Sequence, residues 1–239
     1  MTLAVKQVRE IALENPASSR VFEQYGIDYC CGGHRPLADA CQEKGIAVSA
    51  VLEAIENLSS AEPAATEVWA TRSLAELVEH IVWKHHNYIR KEFPRLQQLA
   101  EKVVARHGNT RSELAQIQID LEALGEELLQ HIQKEELVLF PYISKLESAY
   151  RSGGSRPYGC FGSILQPIDV MLREHDSAGR LSARIRELSV DFNPPEGACP
   201  TYHAYYSGLR EFIEDLHRHI HLENNILFPR AIEMERGEA

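Results

Sequence analysis

Long apolar runs and positive charge are both scarce in this sequence of 239 residues. No apolar run approaches the roughly 18 residues that a membrane-spanning helix needs, and Lys6 interrupts the N-terminal apolar stretch. We therefore expect neither a spanning helix nor a secretory leader. Lys and Arg number 25 against 35 Asp and Glu. Because an acidic surface repels phosphate backbones, nucleic acid and anionic membranes are not expected partners.

Cysteines that could pair are scarce as well. The chain has five, an odd number, and no leader sequence is expected. These features argue against a disulfide framework. A cytoplasmic protein with reduced thiols is therefore expected.

Helical periodicity, by contrast, covers most of the chain. Residues 1–58 hold four short helical patterns separated by Pro and Gly, which predict a small helical domain. Residues 59–72 are rich in Ala, Ser and Thr with little periodicity, as is typical of a linker. Ser73 and Glu76 form a capping-box pattern at the start of the next helix. Residues 73–239 are therefore expected to form the second domain.

A segment of the second domain is duplicated. HIQKEELVLFPYI begins at His131, and HIHLENNILFPRAI begins at His219. In each copy a Glu follows the His by four residues, at Glu135 and Glu223, and Phe-Pro follows five residues later. Side chains four residues apart lie about 40° from each other on one helix face, so each copy directs an imidazole and a carboxylate to the same point. Each copy is a candidate half of a metal site.

The duplication extends upstream to two further histidines. His86 precedes His131 by 45 residues, and His175 precedes His219 by 44 residues. Two helix pairs related by duplication and joined by short connections predict an all-α fold built on an antiparallel four-helix bundle. The six predicted metal ligands are His86, His131, Glu135, His175, His219 and Glu223.

This ligand set indicates which metal is bound. Structural zinc sites are rich in Cys, whereas mixed imidazole and carboxylate ligands inside a helical bundle suit a dinuclear iron or manganese centre. If Glu135 and Glu223 each bridge the two ions, and each ion takes two histidines, every ion has four protein ligands. A bridging oxide or hydroxide would be the fifth. One position on each metal would then stay open for oxygen, peroxide or nitric oxide, and iron could also be lost from the centre.

Other histidines compete for the ligand role. His85 adjoins His86 and points about 100° away, so only one of the two is expected to face the core. We choose His86 because it aligns with His175 across the repeat. His217 and His221 are about 200° around the helix from the ligand at 219 and are expected to be solvated.

Two carboxylates next to predicted ligands have two possible roles. Glu136 and Glu174 are candidate acceptors for imidazole hydrogens. Exposed charges on a helix surface are an equally good interpretation of both.

Vicinal cysteines follow a predicted helix end in the first domain. Adjacent cysteines strain the peptide between them when they form a disulfide. Cys30 and Cys31 are therefore either ordinary loop thiols or a dithiol that binds metal or exchanges electrons, with the following glycines leaving the sulfurs accessible. The remaining cysteines look isolated and are interpreted as packing residues: Cys41, Cys160 and Cys199.

Taken together, these motifs resemble the repair of iron centres family, bacterial di-iron proteins that restore iron-sulfur clusters after nitrosative or oxidative damage. The resemblance covers nearly the whole chain: DYCCGG at Asp28–Gly33, a linker, EHD at Glu174–Asp176, and HxxxE followed by FP in both copies. It implies a hemerythrin-like bundle with two non-haem iron ions on the six residues already chosen. It also implies that Cys30 and Cys31 take part in activity.

The resemblance implies a stress-response protein of the cytoplasm that acts on damaged iron-sulfur proteins, by supplying iron or by removing nitric oxide. Enzymatic nitric oxide reduction is left open, and a second copy of the chain is a further candidate partner. The alternatives are a hemerythrin-like module that binds or senses oxygen or nitric oxide, and a di-iron oxidase or peroxidase. The vicinal cysteines favour repair over oxygen carriage, because a carrier needs no thiols.

Overall fold

The computed structural model describes residues 3–15, 17–58, 69 and 71–237. Most of the linker prediction, 59–68 and 70, lies outside the described residues, so the division into domains at 58 and 72 stays a prediction. The helices are α1 (Val8–Glu14), α2 (Ser18–Tyr25), α3 (Leu37–Glu43), α4 (Val48–Glu56), α5 (Leu74–Ile81), α6 (Asn87–His107), α7 (Glu113–Lys134), α8 (Phe140–Arg151), α9 (Leu165–Leu188), α10 (Pro200–Leu222) and α11 (Phe228–Arg236).

The predicted all-α class is confirmed. Between the described residues the extended-chain pairing is limited to one isolated bridge, from Gln7 to Pro36. Among the described helices, none combines the length and the apolar character needed to cross a bilayer.

Contacts divide the chain into two compact units. The terminal unit consists of the described residues up to Leu77, Leu146–Arg156, and the described residues from His217 onward. The bundle unit consists of Val78–Lys145 and Pro157–Leu216.

Helices α1 to α4 share an apolar core in the terminal unit. Ile11 of α1, Phe22 of α2, Leu37 of α3 and Val51 of α4 are each no more than 1 % exposed. Helix α2 ends at Gly26, whose φ of 63° is left-handed, a conformation that glycine adopts without strain. Burial of this cluster explains how helices of seven to nine residues, too short to be stable alone, persist in the fold.

Antiparallel packing in the bundle unit follows from which ends of the helices meet. Helices α6 and α7 approach where Gly125 faces Phe93, and α7 and α9 meet where Asp120 accepts hydrogen bonds from Arg184. Further along in the same direction, in the π segments and at the ligand positions, residue 136 meets 86 and residue 131 meets 174. Helix α10 is also antiparallel to α6, since position 212 packs on 88 and position 202 on 107. The predicted antiparallel bundle is confirmed.

Three π-helical segments interrupt the long helices: Val82–His86, Glu135–Leu139 and Glu223–Leu227. Each is closed by a hydrogen bond across five residues, such as the one from the amide of Phe140 to the carbonyl of Glu135. Proline cannot donate to the carbonyl four residues earlier, and from the sequence a bend at Pro141 stays a prediction. The structure shows a change in helical hydrogen bonding directly before the Phe-Pro sequence. The same change precedes the second Phe-Pro at residue 228.

Gly125→Ala is expected to destabilise the bundle unit. An added Cβ would lie 2.0 Å from Cε2 of Phe93, so the ring or the helix would have to move, and overpacking of this kind costs about 1 to 3 kcal/mol. Chemical denaturation followed by circular dichroism measures the change. Glu126→Ala, one residue along on the exposed face of α7, is the matched control and should change stability little. Equal stability of both variants would show that the helices can separate at this point without cost.

Candidate metal centre

Four of the predicted ligands meet inside the bundle unit. His86 ends the first π segment, His131 lies in the last turn of α7, Glu135 begins the second π segment, and His175 lies in α9. None is more than 2 % exposed. Four polar side chains from separate elements therefore share one water-excluded space.

The carboxylate of Glu135 lies between two imidazoles. Its Oε2 is 3.4 Å from Nε2 of His86, and its Oε1 is 3.3 Å from Nε2 of His131. Nε2 of His131 is in turn 3.0 Å from Nε2 of His175. The ligand atoms of residues 131, 135 and 175 all lie within 4.8 Å of one another. A carboxylate that presents one oxygen to each of two imidazoles has the geometry needed to bridge two ions.

A carboxylate of the neighbouring residue fixes the imidazole of His86. Nδ1 of His86 lies 2.7 Å from Oε1 of Glu136, and Nη2 of Arg90 donates to the same oxygen at 2.9 Å. Burial raises the pKa of Glu136, but the hydrogen bonds from His86 and Arg90 outweigh it and leave the pKa below its ordinary value. An ionised acceptor at Nδ1 places the proton there and leaves the Nε2 lone pair free for a metal.

The imidazole of His131 has the same arrangement. Its Nδ1 lies 2.8 Å from Oε2 of Glu174, whose other oxygen accepts a hydrogen bond from Lys134. The hydrogen bond with His131 is the main cause that lowers the pKa of Glu174 to about 2, against the opposing effect of burial. The sequence left two roles open for Glu136 and Glu174. In the structure both carboxylates accept a hydrogen bond from an imidazole.

The donor set fits a cation. With protons at Nδ1, the Nε2 atoms of His86 and His131 present lone pairs to a fully buried carboxylate. Negative charge and lone pairs directed at one another in a space without water repel unless a positive ion lies between them. Imidazole and carboxylate are ligands that non-haem iron accepts.

The remaining predicted pair lies in the terminal unit. Nε2 of His219 is 3.0 Å from Oε1 of Glu223, which begins the third π segment, and neither residue is exposed. The equivalent distance in the first copy, between His131 and Glu135, is 3.3 Å. The duplicated sequence thus produces a duplicated local geometry, with His and Glu side by side at the junction of an α-helix and a π segment.

The expectation that only one of His85 and His86 faces the core was wrong. Both are buried, and Nδ1 of His85 lies 2.9 Å from Oδ2 of Asp215 in α10. Its ring also packs edge-on against His80 at 5.8 Å. Because a π segment places successive side chains differently from an α-helix, and α10 supplies an acceptor, both imidazoles find buried partners.

The expectation that His217 and His221 are solvated was also wrong. His221 is 4 % exposed, its ring lies 5.3 Å from that of Tyr29, and Nδ2 of Asn225 donates to its Nδ1 at 2.9 Å. Burial lowers the pKa of His221 to about 4, so the side chain is neutral. His217 is partly buried, with its ring 6.4 Å from Tyr29. The helix face opposite the ligands is covered by the segment that carries the vicinal cysteines.

A single carboxylate organises the cysteine loop. Oxygens of Asp28 accept hydrogen bonds from the amides of Cys30, Cys31 and Gly32, each at 2.9 Å. Burial raises the pKa of Asp28, but these bonds and the charge of His217 outweigh it, so the pKa lies below its ordinary value. Backbone amides of the loop therefore hold the Asp28 carboxylate in its ionised form.

The two sulfurs of this loop lie together without a disulfide. Cys30 Sγ is 3.7 Å from Cys31 Sγ and 3.3 Å from Oδ1 of Asp28, and these three groups could hold a metal ion. The hydrogen bond with Cys31 and burial are the leading causes that raise the pKa of Cys30 well above its ordinary value. At neutral pH Cys30 therefore keeps its proton, while Cys31 is the more accessible of the two.

The cysteine loop contacts the third π segment. Nδ2 of Asn224 donates to the carbonyl of Cys30 at 3.3 Å, and Nδ2 of Asn225 donates to the carbonyl of Tyr29 at 3.4 Å. These two asparagines directly follow Glu223 in the chain. The sequence did not single them out, because nothing local marks an asparagine as the partner of a backbone about 195 residues away.

Of the three cysteines interpreted as packing residues, Cys41 is confirmed, since it is 1 % exposed within the core of α1 to α4. Cys160 is exposed, so it has no packing role. Cys199 is partly exposed, and its Sγ lies 3.3 Å from Nε2 of His107. The interpretation was wrong for these two residues.

Two models of known protein families match the sequence of this chain. Residues 4–59 match a domain of unknown function, ScdA_N (DUF542), and residues 77–231 match the hemerythrin HHE cation binding domain. The chain is 39 % identical over 228 residues to an iron-sulfur cluster repair protein, YtfE, of Yersinia pseudotuberculosis serotype O:1b, covering 95 % of this chain and 96 % of the relative. It is 36 % identical over 233 residues to a probable iron-sulfur cluster repair protein of Haemophilus influenzae, covering 97 % and 99 %.

Glu136→Ala and Glu174→Ala are each expected to weaken metal binding by about 10- to 100-fold, because the imidazole beside each loses the acceptor that orients it. Competition for iron(II) with a chelator measures the affinity. The Gln substitutions keep an acceptor oxygen and should lose less. Glu127→Ala, at an exposed position of α7, is the control. If Glu127→Ala and Glu174→Ala retain metal equally, the outer carboxylates do not support the centre.

Proposed function

We propose that this chain, which belongs to the family of iron-sulfur cluster repair proteins, restores iron-sulfur clusters damaged by nitrosative or oxidative stress through a buried pair of non-haem iron ions. The observation that carries the proposal is the buried carboxylate of Glu135, with one oxygen towards each of two imidazoles. The proposed ligands are His86, His131, Glu135, His175, His219 and Glu223.

Two ions are proposed rather than one because the ligands repeat. His131 with Glu135 and His219 with Glu223 have the same spacing, the same π segment and nearly the same separation. A carboxylate from each copy can then bridge, as in other dinuclear carboxylate centres of helical bundles. Bound iron would supply an exchangeable ion and open coordination positions for a small molecule such as nitric oxide or oxygen.

Two carboxylates beside the proposed centre make it suited to the exchange of iron. Glu136 and Glu174 stay ionised, keep protons on Nδ1 of their histidines, and so preserve lone pairs on Nε2. Because these two carboxylates are partly exposed, protons and small ions can reach them from solvent. A site whose outer hydrogen bonds end at the surface is suited to iron that must enter and leave.

We propose that Cys30 and Cys31 take part in repair as a dithiol. Support comes from the 3.7 Å between the sulfurs and from the contact between their loop and the segment that follows Glu223. With its pKa raised, Cys30 stays protonated at neutral pH, and Cys31 is the more accessible sulfur of the pair. The pair can then supply electrons or receive an ion when Cys31 engages a target.

The proposed partners are damaged iron-sulfur proteins, together with nitric oxide or oxygen as small molecules. A cytoplasmic site of action is part of the proposal. None of the five cysteines forms a disulfide, as suits a reducing compartment.

The chain is expected to bind about two iron ions, and Glu135→Ala and Glu223→Ala are expected to lose most of them, because a bridging carboxylate contacts both ions. Elemental analysis and the electronic spectrum measure the content. Glu127→Ala and His203→Ala, at exposed positions of α7 and α10, are the matched controls. One tightly bound zinc ion and no iron in the unmodified chain would contradict the di-iron proposal, as would equal iron in all four variants.

The double variant Cys30→Ser/Cys31→Ser is expected to keep its iron and its spectrum while losing most repair activity, since the sulfurs are not among the proposed iron ligands. Repair is measured as recovery of a nitric oxide-damaged cluster in an acceptor protein under anaerobic conditions. Cys160→Ser, an exposed thiol, is the control. Full activity of the double variant would make the cysteines bystanders, and loss of iron would give them a structural role.

A further inference from the structure

His85 is a buried imidazole that is not among the proposed ligands. It directly precedes the proposed ligand His86 in the π segment Val82–His86, and it is 1 % exposed. Its Nδ1 lies 2.9 Å from Oδ2 of Asp215 in α10, and its ring packs edge-on against that of His80 in α5 at 5.8 Å. Because a buried imidazole that moved away from its acceptor would leave a polar group without a partner, this contact fixes the orientation of the ring.

The π segment is therefore held from two sides. Nδ1 of His86 lies 2.7 Å from Oε1 of Glu136 in the second π segment, and the ring of His86 stacks on that of Phe140 at 5.6 Å. Asp215 holds the preceding residue from α10. Consecutive imidazoles thus contact carboxylates of two different helical segments. A rotation of the first π segment about its own axis would break these contacts, so together they fix that rotation.

Contacts of the same kind recur around the bundle. Nδ1 of His131 in α7 lies 2.8 Å from Oε2 of Glu174 in α9. Imidazole-carboxylate pairs thus join α7 to α9, the first π segment to the second, and the first π segment to α10. Two of these three pairs contain a proposed ligand, whereas the pair of His85 with Asp215 contains the residue next to one. Its effect on the centre must therefore pass through the backbone between residues 85 and 86.

We infer that Asp215 is a positioning residue for the proposed centre, and that it acts through His85 on the direction of the His86 imidazole. This inference rests on the proposed role of His86 as an iron ligand. Residues 85 and 86 share a planar peptide bond, so an orientation imposed on one is transmitted to the other. Nε2 of His86 lies 3.4 Å from Oε2 of Glu135, and a shift of the backbone at residue 86 would change this spacing.

Asp215→Ala is expected to lower the affinity for iron(II) by about 10-fold, at the low end for partners of metal ligands, because this carboxylate acts through one more side chain. Competition with a chelator measures the affinity. Asp215→Asn keeps an acceptor oxygen and should lose less. Glu211→Ala, at an exposed position one turn earlier in α10, is the matched control and should bind iron as the unmodified chain does. Unchanged affinity in the Asp215→Ala variant would overturn the inference.

A double-mutant cycle separates positioning from a general loss of structure. In a His86→Ala background the direction of that imidazole no longer matters. Asp215→Ala should then lower the remaining affinity by no more than about twofold, the scatter expected of independent changes. The same 10-fold loss in both backgrounds would show that Asp215 supports the fold as a whole, and this result would overturn the inference.

Hydrogen exchange in the metal-free chain gives a measurement that needs no iron. Asp215→Ala should speed amide exchange in Val82–His86 more than in Glu135–Leu139, because only the first π segment loses its contact with α10. An equal change in both segments, or none in either, would overturn the inference. Absence of iron from the unmodified chain would overturn the proposed centre instead, and faster exchange confined to Val82–His86 would still show that Asp215 orients this segment.

Discussion

The interaction on which the bundle unit depends is the burial of the Glu135 carboxylate against imidazole nitrogen. An ionised carboxylate withdrawn from water costs several kcal/mol unless cations or hydrogen bonds replace its hydration. The bundle directs the Nε2 lone pairs of His86 and His131 at this carboxylate, which calls for a cation between them, and it turns their Nδ1 atoms outward to Glu136 and Glu174. Carboxylates therefore lie on both sides of the two imidazoles, and a cation between Glu135 and the Nε2 atoms offsets the cost of burying them. A cation in that position explains why a mainly apolar core tolerates these polar side chains.

Helical geometry at these positions follows from that requirement. Each of the three π segments starts or ends at a predicted ligand: His86, Glu135 or Glu223. A π segment widens the turn and changes the direction of the side chains that follow, at a cost in hydrogen-bond quality. In two cases the next residues are Phe-Pro, and the proline has no amide hydrogen to lose. The duplicated prolines thus lower the cost of a distortion that the ligand geometry uses.

The sequence predicted the ligand pairs that repeat at a fixed local spacing. It did not predict the surroundings of side chains whose partners are distant in the chain. The spacing of four between His and Glu predicted the pairs at 131/135 and 219/223, because helical periodicity is a local property. His221 was expected in solvent, since an angle around a helix cannot reveal that Tyr29 covers that face. His85 was misjudged because a 3.6-residue period does not describe a π segment. Cys199 looked isolated, as its partner His107 is 92 residues away.

Placed side by side, the two thiol sites show opposite electrostatics. Cys30 lies by the thiol of Cys31, is buried, and lies by the carboxylate of Asp28, all of which oppose a negative sulfur, so its pKa is raised. Cys199 lies by an imidazole and a helix start, both of which favour a negative sulfur, so its pKa is lowered to about 7. Because the thiolate is the nucleophile in disulfide exchange, Cys199 is expected to react faster than Cys30 at neutral pH.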